Sequence, residues 1–144
     1  MWINFASIND IPHIIDMEKE CFGEKAWTKD MIENDFEKRS SYIICYTNDD
    51  EPIGYLGFLD LGSECEILRI GIKKMYRKQG NAQALLEFLF EYCMENKKEK
   101  IYLEVSSLNN VAINLYKRMG FKLINIRKNY YVEGNDALNY VKIL

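Results

Sequence analysis

The chain holds one histidine and two prolines in 144 residues. No apolar run approaches the ~18 residues that a membrane span needs. His13 has no cysteine or carboxylate at ligand spacing, which argues against histidine catalysis and histidine-bearing metal sites; no metal is expected. Without a linker, low-complexity tract or repeat, one domain over residues 1–144 is expected. The opening "MWINFASIND" lacks a basic segment followed by an apolar one, so a secretory leader is not expected. Cys21, Cys45, Cys65 and Cys93 are too widely spaced for a zinc-type pair, and reduced, mostly buried thiols in a cytoplasmic protein are the expectation. Nor is there an excess of positive charge: 19 Lys and Arg stand against 22 Asp and Glu, a formal net charge of −3. Neither nucleic acid nor membrane is expected as a partner, although a local basic patch can still bind a small anion.

What is present is a regular alternation of patterns. "MWINFA" reads as a strand. "INDIPHIIDMEKECF" reads as a helix, with Asp10 as cap, Pro12 in the first turn, and Ile11, Ile14, Ile15, Met17 and Phe22 on one side. "WTKDMIENDFEKR" reads as a second, capped by Thr28 and striped by Met31, Ile32 and Phe36. Three extended runs follow, "SYIICYTN", "PIGYLGFLDLG" and "ECEILRIGI", and the short turns between them predict antiparallel pairing. Ala82, Leu85, Leu86, Leu89, Phe90 and Cys93 recur at helical spacing, with Lys97, Lys98 and Lys100 beyond the C-terminal end. "KIYLEVSS" is a strand, and "NNVAINLYKRM" is a helix stopped by Gly120. "FKLINIR" and "ALNYVKIL" are closing strands around a "KNYYVEGND" loop. The order β-α-α-β-β-β-α-β-α-β-β predicts a mixed α/β domain with a largely antiparallel sheet. A right-handed parallel crossover is expected between Ile67 and Val105.

Three stretches carry chemistry. In "RKQGNA", Arg77 and Lys78 place cations at a helix N-terminus, where they are unfavourable unless an anion lies between. Gly80 lets the backbone approach a ligand, which suits a phosphate or pyrophosphate; a solvated basic turn is the alternative. In "IYLEVSS", Ile101, Leu103 and Val105 alternate to one face and Tyr102 and Glu104 to the other. Desolvation makes a carboxylate a better base near neutral pH, so Glu104 is a candidate proton acceptor, or else a solvent-facing strand residue. In "SSLNNVAINLYKRMGF", Asn109 and Tyr116 stand two helical turns apart. They offer an amide for a polar ligand and a phenol that can donate a proton, or a helix cap and a half-buried tyrosine.

In this order, the stretches resemble the GNAT family of acetyl-CoA-dependent N-acetyltransferases. Arg77-x-x-Gly80-x-Ala82 fits the family's Arg/Gln-x-x-Gly-x-Gly/Ala signature. "LEVSSLNNVAINLYKRMGF", followed by "IRKNYY", resembles the family's bacterial RimI group, as do "AWTKDMI" and the closing "DAL". The resemblance spans nearly the whole chain and is most specific from Leu103 to Tyr131. It implies about seven strands flanked by four helices. It also implies acetyl-CoA as co-substrate and, as acceptor, the N-terminal alanine of a small-subunit ribosomal protein. Ile70, Gly71 and Ile72 would then hydrogen-bond the pantetheine arm, with an N–H near Ile72 facing the oxyanion. Arg77, Lys78, Gln79, Gly80, Asn81, Ala82 and Gln83 would cradle the pyrophosphate, and Asn109 would touch the cofactor. Glu104 matches the general base and Tyr116 the general acid. Trp27, Tyr130 and Tyr131 fall in loops expected around the peptide entrance. Glu18, Glu20, Glu24, Glu33 and Asp35 make the first two helices acidic, which either steers a basic acceptor or is solvated surface. Two positions depart from the family pattern: Arg69 stands where a small polar residue is common, and Asn81-Ala82 replaces Leu-Gly. A GNAT acting on a small amine or a lysine side chain, and a CoA-binding module without catalysis, remain the competing readings.

Overall fold

The computed structural model describes residues 1–38 and 40–144. Seven strands form one sheet: β1 (Trp2–Phe5), β2 (Ser40–Tyr46), β3 (Pro52–Asp60), β4 (Glu64–Ile72), β5 (Lys100–Ser106), β6 (Lys122–Val132) and β7 (Asn135–Ile143). Four helices accompany them: α1 (Ile11–Phe22), α2 (Lys29–Asp35), α3 (Asn81–Glu95) and α4 (Asn110–Arg118). The sheet order is β1-β2-β3-β4-β5-β7-β6. β4 and β5 run parallel, as expected of a strand–helix–strand crossover, and the other pairs are antiparallel. No helix among the described residues is long and apolar enough to cross a membrane.

Each face of the sheet has its own core. On one face, Leu85, Leu86, Leu89 and Cys93 of α3 and Ile113 and Tyr116 of α4 meet Ile43, Leu56, Phe58, Ile67, Leu103 and Tyr140. Each fully buried leucine contributes roughly 1.5–3 kcal/mol. On the other face, Ile11, Ile14 and Met17 of α1 and Ile32 of α2 cover Tyr42, Ile44, Tyr46 and Tyr55. These are the α3 face and the α1 face below.

Some boundaries differ from the sequence expectation. The first helix opens with a separate 3-10 turn, Ile8–Asp10. Ser7 and Asp10 cap that turn reciprocally, so Asp10 points backward and makes no side-chain cap on α1. α2 is shorter than the expected segment, whose last residue, Arg39, lies outside the described residues; Thr28 caps it as expected. Lys98 turns from the end of α3 to pair with Asp60 at 2.7 Å. The expected "KNYYVEGND" loop is instead a hairpin end, and Tyr130 and Tyr131 lie on β6. Gly134 (φ 80°) and Asn129 (φ 51°) take left-handed conformations there. The Asn129 side chain accepts the Gly134 N–H (2.8 Å), which lets the ladder re-form at Val132↔Asn135.

The decisive irregularity is in β4. Gly57 pairs with Arg69, but the next residue, Phe58, pairs with Ile67, which leaves Leu68 as the extra residue of a bulge. A bulge reverses side-chain parity. Before it, Cys65 and Ile67 enter the α3 core; after it, Ile70 and Ile72 do so, while Arg69 and Gly71 turn to the α1 face. β5 pairs with β4 from Glu64↔Lys100 to Ile67↔Leu103 and no further among the described residues, while it stays with β7 to Ser106↔Ala137. The sheet therefore parts between Leu68–Ile72 and Glu104–Ser106. Deleting Leu68 would join Ile67 and Arg69 as adjacent rungs of a regular ladder, with Arg69 still on the α1 face, and would remove the bend. We expect that deletion to extend β4–β5 pairing beyond Ile67↔Leu103, seen as slowed amide hydrogen exchange at Ile70–Ile72, whereas Leu68→Ala keeps the bulge, leaves that exchange unchanged and loses only about 1–2 kcal/mol in urea denaturation.

Candidate active site

The parting of β4 and β5 leaves one edge of Leu68–Ile72 without a strand partner. Such an edge accepts an extended polar chain by main-chain hydrogen bonds. Ile70, Gly71 and Ile72 lie on it, as the sequence suggested. The Ile72 carbonyl is already engaged, by Arg77 Nε at 2.9 Å and by the Cys21 thiol at 3.3 Å. Gly71 has a different requirement: a Cβ there would stand 2.6 Å from the Tyr55 ring. Its bareness seats that tyrosine under the strand.

Beyond β4 the chain makes a 3-10 turn, Lys74–Tyr76, and then two left-handed residues, Lys78 (φ 61°) and Gly80 (φ 82°). A left-handed lysine costs roughly 1–3 kcal/mol, a strain typical of functional loops. Gly80 is the N-cap of the 15-residue helix α3, and no side chain caps that helix. The N–H groups of Asn81, Ala82 and Gln83 therefore carry the positive end of the dipole with no side-chain acceptor. A Cβ at Gly80 would meet nothing within 4 Å, so open space lies above the helix end. Left-handed backbone, free N–H groups and open space fit a phosphate or pyrophosphate.

Several side chains expected in this cradle are engaged by neighbouring groups of the protein. Arg77 bonds Ile72 and, at 3.7 Å, Cys21; Gln79 donates to Met75 O (3.1 Å) and Gln83 to Glu87 (3.0 Å). Asn81 is buried and donates to Tyr76 O at 2.8 Å, so the departure from Leu-Gly ties the loop to the helix. These residues offer main-chain N–H groups, and Lys78 offers an exposed ammonium with no partner among the described residues.

Glu104 lies where β5 leaves β4, and Tyr116 lies in the core on the other face of the sheet. Leu103 and Val105 enter the α3 core, so Glu104, half-buried, projects to the α1 face. The Tyr131 hydroxyl donates to its carboxylate at 3.3 Å. Burial, and then the Glu104 charge, raise the Tyr131 phenol above its ordinary value, which keeps it a donor. Tyr116 lies in the α3 core, edge-on to Phe121 at 5.7 Å. Burial alone pushes its phenol up to about 12, so it stays protonated at neutral pH. Asn109 is the N-cap of α4: its side-chain oxygen accepts the Ala112 N–H (3.2 Å), leaving its amide N–H groups outward.

The aromatic residues form two groups. Tyr130 and Tyr131 stand edge to face at 5.3 Å, with Arg127 over Tyr130 at 5.2 Å. Trp27 is half-buried and belongs to a cluster that sequence reading did not find. The Arg69 guanidinium is stacked between Phe22 (4.0 Å) and Trp27 (4.1 Å) and reaches Glu18 at 2.6 Å. Glu18 is fully buried and also accepts the Trp27 N–H (2.7 Å) and the Tyr55 hydroxyl. Helical spacing contained the signal, since Ile14, Glu18 and Phe22 share a stripe. The acidic-surface expectation is corrected accordingly. Glu18 is internal, Glu20 accepts the Lys74 N–H (2.8 Å), Asp35 accepts the Tyr42 hydroxyl (2.5 Å), and Glu24 and Glu33 remain exposed.

A parted parallel strand pair leading to a helix N-terminus without a side-chain cap fits an enzyme that holds an extended, phosphorylated ligand. The sequence matches the Acetyltransferase (GNAT) family over residues 11–121, and the chain belongs to that family. It is an acetyl-CoA-dependent N-acetyltransferase. It is 33% identical over 133 residues to a Bacillus subtilis protein provisionally named ribosomal protein bS18-alanine N-acetyltransferase, covering 91% of this chain and 87% of that one. It is 30% identical over 106 residues to the Haemophilus ducreyi ribosomal protein bS18-alanine N-acetyltransferase, covering 73% and 72%. The crystal structure of the Escherichia coli ribosomal-protein-S18-alanine N-acetyltransferase shares the fold, with TM-score 0.90 at 23% identity over 99% of this chain and 92% of that one.

Gly80→Asp would set a carboxylate at the free N–H groups of α3. Acetyl-CoA affinity, measured by calorimetry, is expected to fall on the order of ten-fold or more, with the circular dichroism spectrum unchanged. Glu18→Ala would strand the stacked Arg69 charge and is expected to cost about 3–5 kcal/mol in urea denaturation.

Proposed function

We propose that the protein transfers the acetyl group of acetyl-CoA to the N-terminal α-amine of a protein, with Glu104 as base and Tyr116 as acid. The carrying observation is that Glu104 stands where β5 leaves β4, with the free β4 edge leading on to the N-terminus of α3, which no side chain caps. The acceptor reaches Glu104 from the α1 face, between Trp27 and the Tyr130–Tyr131 pair. The donor lies toward Tyr116, along Ile70–Ile72, with its pyrophosphate on Arg77–Gln83 and Asn109 beside it. Acetyl-CoA supplies a thioester already activated for attack.

An α-amine has a pKa of about 7.7–8.0, so it is largely protonated at pH 7 and must lose a proton to attack. Glu104 takes that proton through a water. A main-chain N–H near Ile72 faces the carbonyl oxygen as charge builds on it. The amide bond forms and the thioester bond breaks; Tyr116 gives its proton to the departing thiolate, and the second proton of the attacking nitrogen passes to water, from which the Tyr116 phenolate is reprotonated. Direct attack fits the thiols: burial raises Cys21 above its usual value and pushes Cys45 up to about 11, and Cys65 and Cys93 are sealed in the α3 core out of reach of substrate. The relatives' named activity supports the N-terminal alanine of a small-subunit ribosomal protein as acceptor, in a cytoplasmic setting, with residues 1–144 as one catalytic unit.

Acetyl-CoA consumption with alanine-led peptides, polyamines and free lysine tests the reading, with mass spectrometry locating the acetylated nitrogen. The α-amine of an Ala-led peptide is the expected site. Acetylation of a lysine side chain or a polyamine instead supports the small-amine or lysine reading, and no turnover with retained CoA binding supports a non-catalytic module. Glu104→Gln and Tyr116→Phe are each expected to lower kcat by roughly 10²–10⁴-fold with acetyl-CoA affinity retained. Wild-type turnover in both would overturn the assignment.

A further inference from the structure

One polar atom in this fold lacks what buried polar atoms almost always have. The side-chain Nδ2 of Asn139 is sealed from solvent and has no hydrogen-bond partner among the described residues. An orphaned buried donor is a standing cost to stability. Leucine or valine at this position would carry no such cost, so the amide calls for a physical reason.

Its place in the sheet supplies one. Asn139 lies on β7 directly across from Glu104 on β5. The adjacent pair, Leu103↔Tyr140, enters the α3 core, so Glu104 and Asn139 project together to the α1 face. Side chains directly opposite on antiparallel strands have Cβ atoms about 4.5–5.5 Å apart. Glu104 has one recorded donor, Tyr131, on one carboxylate oxygen at 3.3 Å. A carboxylate accepts several hydrogen bonds, and the unused N–H groups stand beside it.

We propose that Asn139 is a positioning residue for the acetyl-transfer base: from the strand opposite, its amide donates to Glu104, or to the water that Glu104 holds, when the acceptor amine is in place. This rests on the assignment of Glu104 as base. Tyr131 and Asn139 would then hold the carboxylate from β6 and β7, with its proton-accepting lone pair turned toward the opening.

Asn139→Leu and Asn139→Ala separate this from a structural role. Both remove the orphaned donor, and a purely structural asparagine would be replaced with unchanged kcat and an equal or higher melting temperature for the leucine variant. The expected result is a kcat, on an Ala-led peptide, lower by on the order of ten-fold. KM for acetyl-CoA should be unchanged, and the leucine variant should melt no lower than the wild type. In a Glu104→Gln background, Asn139→Leu should lower kcat no further. Wild-type kcat in both Asn139 variants, or full additivity with Glu104→Gln, overturns the proposal while leaving Glu104 as base. Wild-type kcat in Glu104→Gln itself overturns both.

Discussion

The Leu68 bulge in β4 is the constraint on which the site depends. A residue inserted into one strand of a ladder must go unpaired, and the strand bends and reverses its parity there. In this chain the reversal takes Arg69 out of the α3 core and places it between Phe22 and Trp27, against the buried Glu18. The bend also coincides with the end of β4–β5 pairing. One extra residue thus opens the sheet, frees a main-chain edge and sets a charged cluster beside the opening.

That cluster is an unusual element of a small core. Glu18 meets a guanidinium, a phenol and a main-chain N–H, so its charge is removed from water yet well partnered. Such arrangements contribute less to net stability than to uniqueness, because any other packing strands a charge. Here the thing made unique is the path of Phe22–Trp27, the segment that borders the opening on the α1 face. Arg77 acts similarly on the other side: its bond to Ile72 O fixes how β4 hands over to the left-handed turn before α3.

The opening gives the two faces of the sheet different chemistry. The α3 face contributes free helix N–H groups, a left-handed loop and a phenol kept protonated by burial. The α1 face contributes a half-buried carboxylate held from β6 by Tyr131, with aromatic and cationic groups around it. On the proposed reading, the anionic thioester lies along the α3 side and the acceptor amine meets Glu104 where the strands part.

Much of this was legible in one dimension. Periodicity located α3 and the strands, and Gly80 ahead of Ala82 marked the start of α3, since local spacing alone determines which residues share a helix face or precede a helix. Alternation along "IYLEVSS" put Glu104 opposite the core, and the resemblance named its partner Tyr116. Other features are products of contact between distant segments. The Leu68 bulge is defined by register against β3, the burial of Glu18 by Arg69 fifty-one residues away, and the bond of Arg77 by a carbonyl whose orientation the sheet decides. Tyr131 moved from an expected loop to a strand because a left-handed Asn129 lets pairing resume beyond it. Sequence by itself determined the elements and the chemistry each one carries. Tertiary structure decided which of those groups face one another across the opening, because strand register and the pairing of buried charges are settled only when the whole sheet has formed.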